Sequence, residues 1–330
     1  MNTDFLEIMK TLDLHEEFLR VLHSKLPTKD IVNTVAEILK LEKDAAYRRL
    51  NGRVNFSVRE VGIICDKLNI SLDLLMGTKQ ENIYAFHLNI TSEDPIQNFY
   101  ESLLNINQSM DYLEDDPSVY LYRAHRTLPY EFVYNYESLS RVYTYILYYQ
   151  LNQEGITPKL IKSFAELQIP KKLVHAQRQS TINIQGHNSS LVLDKRIFID
   201  YIEIVKHFYF LGLITQTDID KIRDELMLLI DDMEKCAATG LSLRGKKMDI
   251  YLSHISFDCS YSFLESSNFN ASSSGVFYSN YLTSQNVKIN KMQKSWIKSL
   301  MRFSSLISVS DDLKRNDFFR TQREYVETIL

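Results

Sequence analysis

Hydrophobic positions recur in steps of three and four along the first 77 residues, and the breaks between them predict a run of short helices. Phe5, Leu6, Ile8, Met9 and Leu12, then Phe18, Leu19 and Leu22, predict an opening helix that Pro27 closes. Thr28 is placed to cap a second helix, Lys29 to about Leu39, with Ile31, Val35, Ile38 and Leu39 inward. Ala36 is small enough there for another helix to cross closely. After Lys40-Leu41 a third helix runs from Lys43 to Leu50 on Ala45, Ala46 and Leu50. Asn51-Gly52 ends it, because glycine tolerates the left-handed backbone of helix C-termini. Ser57 and Glu60 have capping-box spacing for a fourth helix that buries Val61, Ile64, Cys65 and Leu68. Ser71 caps a final turn, Leu72 to Met76, which Gly77 stops.

Residues 79–94 are polar and lack a helical period, which predicts a linker between a domain at 1–78 and a larger one at 95–330. In the larger domain, helices are expected over Pro158–Gln168, from Pro170 to Arg178, and over Arg196–Leu213, the last apolar on nearly every side. A long helix begins near Thr217 and Asp220. Its Ile219, Ile222, Leu226, Leu229, Met233 and Cys236 have the spacing of a heptad seam. A dimer interface is one reading of that seam. A bundle helix is the better one, because Met227, Leu228 and Ile230 widen the stripe. From Met248 the period changes to two: Met248, Ile250 and Leu252 alternate with Asp249, Tyr251 and Ser253. Tyr261–Leu264 and Val276–Leu282 are expected as further strands, joined by a Ser/Asn/Gly turn region at 266–275. Helices at about Lys291–Ser304 and Asp312–Ile329 finish the chain. The fold class expected is mainly α: a small helical domain, then an α+β domain of helices with a small antiparallel sheet.

Composition adds little. The chain has 330 residues, 45% hydrophobic and 24% charged, enough for two globular domains with real cores. No stretch reaches the ~18 consecutive apolar residues of a membrane span. The first residues lack the basic and apolar regions of a signal peptide, and the three scattered cysteines suit a reducing compartment, so a cytoplasmic location is expected. Ten tyrosines lie between Asp111 and Tyr149. An aromatic ligand pocket is one reading; core residues with hydroxyls at the rim is the favoured one.

Charge changes the picture only locally. The net charge of −4 does not suggest nucleic acid, yet between Lys40 and Arg59 six bases (Lys40, Lys43, Arg48, Arg49, Arg53, Arg59) face two acids (Glu42, Asp44).

Together, Val35-Ala36, the buried Ala46, Gly52 and the closing Ser71-Leu72-Asp73-Leu74-Leu75 turn resemble the repressor/Cro-type (XRE) helix-turn-helix family, in register and without gaps over about 55 residues. The resemblance implies a lambda-repressor-like five-helix domain whose third helix, about 43–50, lies in the major groove of double-stranded DNA. It implies Lys43, Asp44 and Tyr47 nearest the bases, with Arg48, Arg49 and Arg53 on phosphates or a guanine edge. The function expected is sequence-specific transcriptional regulation by a homodimer, with residues 95–330 supplying dimerisation, effector sensing or both. The alternative is a protein–protein interaction module, such as an antagonist of another regulator, whose helix-turn-helix no longer binds DNA. Two positions depart from the family: Lys40 stands where glycine is common, and Ala45-Ala46-Tyr47 alters the recognition face.

Catalytic patterns are weak, and no enzyme, metal site or cofactor is expected. Gly240 to Lys247 follows the phosphate-loop pattern until Lys247 replaces its Ser/Thr, and its order of helix before and strand after is reversed. His254 and Cys259 lack a third partner. Ser308, Ser310 and Arg315 suggest helix capping before an anion pocket.

Overall fold

A computed structural model describes residues 14–26, 30–68, 70, 72, 84, 86–90, 93–151, 162–267, 269–276 and 280–330. Its contacts divide the chain into two compact units, Met1–Ala85 and Phe86–Leu330.

Four helices are described in the first unit: α1 (Leu14–Lys25), α2 (Ile31–Leu39), α3 (Lys43–Leu50) and α4 (Val58–Leu68). The apolar positions read from the sequence make one core, in which Phe18 and Leu22 meet Ile31, Val35, Ala36, Ala46, Leu50, Ile64 and Cys65. Phe56, between α3 and α4, completes it and stands edge-on to Phe18 at 5.3 Å. Residues 1–13, Thr28 and all of 71–77 except Leu72 lie outside the described residues, and the fifth helix with them. The residue before α2 is Asp30, whose side chain makes no capping hydrogen bond.

The second unit runs β1 (His87–Leu88), α5 (Pro95–Tyr112), β2 (Tyr120–His125), α6 (Tyr130–Val133), α7 (Glu137–Leu151), α8 (Lys171–Gln185) and β3 (Asn188–Leu193). It continues with α9 (Ile197–Phe210), α10 (Gln216–Thr239), β4 (Met248–Ser253), β5 (Tyr261–Glu265), β6 (Asn270–Val276), β7 (Asn280–Ser284), α11 (Val287–Arg302), β8 (Ser304–Leu306) and α12 (Asp312–Ile329). The strands form one eight-stranded sheet in the order β1-β7-β6-β5-β2-β3-β4-β8. Its centre is parallel, β2 with β3 and β3 with β4, and every other pairing is antiparallel.

This overturns the expected mainly α chain with a small antiparallel sheet: the larger unit is α+β around a mixed eight-stranded sheet. The two unexpected strands that make the sheet mixed, β2 and β3, carry no clear sequence signal, because central parallel strands are buried on both faces and lose polar alternation. In β3 all residues from Ser189 to Leu193 are buried. The turn region expected at 266–275 is mostly strand β6, whose serines pair with β5 and β7 and bond to α11 through Ser272 to Asn290 and Ser274 to Gln293. The helix expected over Pro158–Gln168 is absent from its described part, 162–168. His87-Leu88, within the segment expected as linker, pairs with β7.

Side-chain alternation assigns the two sheet faces. Leu191, Leu193, Met248 and Ile250 join the large core formed with α5–α10 and α12, whereas Ala124 and Val192 pack against Leu300 of α11. The heptad positions of α10, from Ile219 to Cys236, are all buried in the large core. They are therefore occupied within the unit and do not offer a seam to a second copy. Much of the tyrosine-rich segment also packs inward, although Tyr112 is exposed. Tyr143 stands between Phe99 and Tyr134, Tyr145 donates to the Lys162 carbonyl at 2.8 Å, and Tyr136 donates to Asp232 at 2.8 Å. A cavity of about 30 Å³ beside Tyr143 and Tyr201 is room for roughly one water molecule.

Candidate nucleic-acid interface

The turn between α2 and α3 is built on Lys40, which adopts the left-handed conformation (φ 54°, ψ 46°). Lys40 N–H donates to the Glu37 carbonyl and Leu41 N–H to that of Ala36, the paired bonds of a Schellman motif. A lysine there bears the steric cost that glycine avoids, on the order of 1 kcal/mol. Three residues, Lys40 to Glu42, then separate the two helices.

Helix α3 turns Ala46 and Leu50 into the core, and its period leaves Lys43, Asp44, Tyr47 and Arg48 as one exposed face. Tyr47 is 52% exposed, a large side chain held out in solvent. At the helix C-terminus, Gly52 has φ +67° and faces open space. Arg53 follows, exposed, with its N–H bonded to the Arg48 carbonyl at 2.9 Å. Lys40 and Arg59 are exposed as well, so five of the six bases read from the sequence reach solvent.

Arg49 differs from the rest of the expected contact set. Its guanidinium pairs with Glu60 at 2.9 Å and donates to the Ala45 carbonyl at 3.2 Å, with about a fifth of the side chain exposed. Glu60 also accepts from the Ser57 N–H at 2.8 Å, while the Ser57 hydroxyl accepts from the Glu60 N–H at 3.3 Å, which is the capping box expected from the spacing. Burial works against the Glu60 carboxylate, but the Ser57 amide and then Arg49 outweigh it and hold the group below its usual range. Arg49 thus braces α3 against α4. A phosphate contact there would have to break that ion pair, and the sequence carries no sign of the pairing, because eleven positions separate the partners.

The remaining sequence patterns resolve into local structure. Gly240 caps α10 with φ +69°, and the following residues close a tight turn through Ser242 N–H to Lys246 O at 2.7 Å and Gly245 N–H to Ser242 O at 2.9 Å. Arg315 is spent on the Ile307 and Ser310 carbonyls and on Asp312, and Ser308 accepts from the Ile250 amide. His254 meets Ser305 at 3.0 Å. Among the described residues no group of three or more His, Cys, Asp or Glu is placed to hold a metal ion, and no helix is long and apolar enough to cross a membrane.

No family model, curated protein or solved structure matches this chain.

Proposed function

We propose that the first unit is a reader of double-stranded DNA and that the chain acts as a transcriptional regulator. The observation that carries this reading is the exposed face Lys43-Asp44-Tyr47-Arg48 on a short helix fixed by a three-residue turn, with Arg53 just beyond it. In this arrangement α3 enters the major groove by its N-terminal half, where Lys43, Asp44 and Tyr47 meet base edges. Arg48 and Arg53 bind phosphates or a guanine edge, and Arg49 keeps the helix braced. Two copies, each taking one half-site about 34 Å from the other, suit a pseudo-palindromic operator. Any dimer contact lies elsewhere than the buried seam of α10.

A second reading is favoured by one observation. Val58 is 89% exposed at the start of α4 and Val54, four residues earlier in the chain, is exposed too, apolar side chains that a protein partner would cover. An interaction module would use that surface and leave Arg48 and Arg53 dispensable.

A salt-titrated gel shift of the full chain with Arg48→Ala plus Arg53→Ala distinguishes the two. Under the DNA reading the pair weakens every duplex and flattens the salt dependence, by about 0.9 in log–log slope for each phosphate that is no longer neutralised. If no duplex is retained at low salt, or the double substitution changes nothing, the DNA reading is wrong.

A further inference from the structure

Helix α11 carries charge of one sign. Lys288, Lys291, Lys294, Lys298 and Arg302 are accompanied by no carboxylate in its 16 residues, although the chain as a whole has net charge −4. Ile289, Ile297 and Leu300 are buried, and Lys294 pairs with Glu265 beneath the helix while lying over the Tyr122 and Phe263 rings. The helical period collects Lys288, Lys291, Ser295, Lys298 and Arg302 into one exposed stripe, with Met292, Trp296 and Phe303 in the stripe beside it. Trp296 is 43% exposed and Phe303 59%. Among the described residues no carboxylate lies in ion-pair range of Lys291, Lys298 or Arg302, although the Lys298 ammonium stands 5.2 Å from the centre of the Tyr122 ring. Like charges spaced three and four apart repel one another along a helix, and a polyanion laid across them relieves that repulsion.

We propose that α11 is a second, sequence-independent contact for duplex DNA. From Lys291 to Arg302 its cation stripe extends about 17 Å along the axis, roughly five base-pair steps, and seats on the phosphates of one strand. Met292 and Trp296 lie against the sugars and groove wall beside them. Choosing DNA over another polyanion rests on the reading of α3 given above, since a duplex held by one unit is presented to the other at high effective concentration. A membrane fits less well, because the broad apolar face of α11 is turned onto the sheet and the exposed apolar side chains beside its cations are few, Val287, Met292, Trp296 and Phe303.

The test is fluorescence anisotropy of the full chain on a mixed-sequence duplex over a salt series. Lys291→Glu with Lys298→Glu and Arg302→Glu is compared with Arg48→Ala plus Arg53→Ala. The charge reversal is expected to weaken binding at least about tenfold and to lower the log–log salt slope by about 2–3. Lys291→Arg with Lys298→Arg is expected to keep both. Unchanged affinity and slope on reversal overturn the α11 contact, and the α3 reading then stands if the Arg48/Arg53 pair still matters. Weaker binding on reversal with an inert Arg48/Arg53 pair keeps α11 and ends the α3 reading. Release from phosphatidylserine vesicles or from polyglutamate on reversal, with duplex binding intact, assigns the surface to a membrane or an acidic protein and overturns the proposal. Should reversal lower the thermal midpoint, the three positions are changed to Gln and the same outcomes apply.

Discussion

Arg49 and Glu60 meet at 2.9 Å and tie the C-terminal end of α3 to the first turn of α4, while the same carboxylate closes the capping box with Ser57. One acid therefore stabilises a helix start and fixes the helix that presents the candidate DNA-facing side chains.

Glu60→Gln should consequently destabilise the first unit by about 1 kcal/mol, in the range of a missing cap and a half-buried ion pair. The sign with pH follows from the Glu60 carboxyl being held low. Its contribution is complete above the usual glutamate value of about 4.3 and is lost as pH falls through the lower folded-state value. Denaturant midpoints of wild type and Glu60→Gln should thus converge on acidification below about pH 4. Parallel curves down to low pH would show that the pair contributes nothing.

Lys40 offers a stabilising substitution. With φ at 54° and its side chain exposed, Lys40→Gly removes the left-handed strain and should raise stability by up to about 1 kcal/mol, while a β-branched residue there should lower it. Thermal unfolding of the full chain measures both. A loss of stability in Lys40→Gly would mean that the turn relaxes away from the left-handed conformation.

Gly240 and Val309 are coupled across the second unit. Gly240 has φ +69°, and a Cβ there would stand 2.6 Å from Val309 Cγ2. Val309 is itself left-handed at φ 61°, with its N–H bonded to the Ala237 carbonyl at 2.9 Å. Gly240→Ala should cost about 2 kcal/mol, from backbone strain and the clash together. Val309→Gly should stabilise the wild-type chain and recover part of that loss. Additive effects in the four-way comparison would remove the clash as an explanation.

The large core contains a charged pair, Arg123 on β2 with Glu131 in α6, both nearly inaccessible. Arg123 also reaches the Ser189 hydroxyl, and Gln185 donates to the Glu131 carbonyl at 2.8 Å. Glu131→Leu alone leaves a buried guanidinium uncompensated and should cost about 3–5 kcal/mol, whereas Arg123→Met with Glu131→Leu should cost far less. Urea midpoints decide it, and equal losses in the single and double variants would contradict the ion-pair account.

His125, at the end of the same strand, is pushed down to about 4 by burial, against the pull of Glu131. A histidine held neutral in the fold supports it above the unfolded value of about 6.5, and that support is lost as pH falls towards 4. Roughly 3 kcal/mol should disappear across this window, at 1.36 kcal/mol per unit. His125→Phe should flatten the pH profile of the urea midpoint there, and a profile with the wild-type slope would assign the acid sensitivity to another group.

Most of the helices are legible in the sequence because helix signals are local. The inward positions of α2, α3 and α4, the Ser57/Glu60 cap, the left-handed Gly52 and the span of α12 all depend on residues within a turn or two of each other. The alternation in β4 is local too. The exposed residues of α3 can be named from the sequence for the same reason. The basic stripe of α11 is equally present in the sequence, but Lys291 to Arg302 gain meaning only once the apolar side of the helix is seen against the sheet.

Tertiary structure decides what no short window contains. β2 and β3 become strands by pairing Tyr120–His125 with Asn188–Leu193, 68 residues further on, and both lie inside the sheet, where polar alternation is lost. Asn270–Val276 reads as a turn by its serines and becomes a strand because β5, β7 and α11 supply partners for its amides and hydroxyls. The same dependence on distant partners pairs Arg49 with Glu60 and buries the α10 seam. Local spacing sets which faces are apolar and which are charged. The fold determines which of those faces are already occupied, because burial and ion pairing are satisfied by residues far apart in the chain.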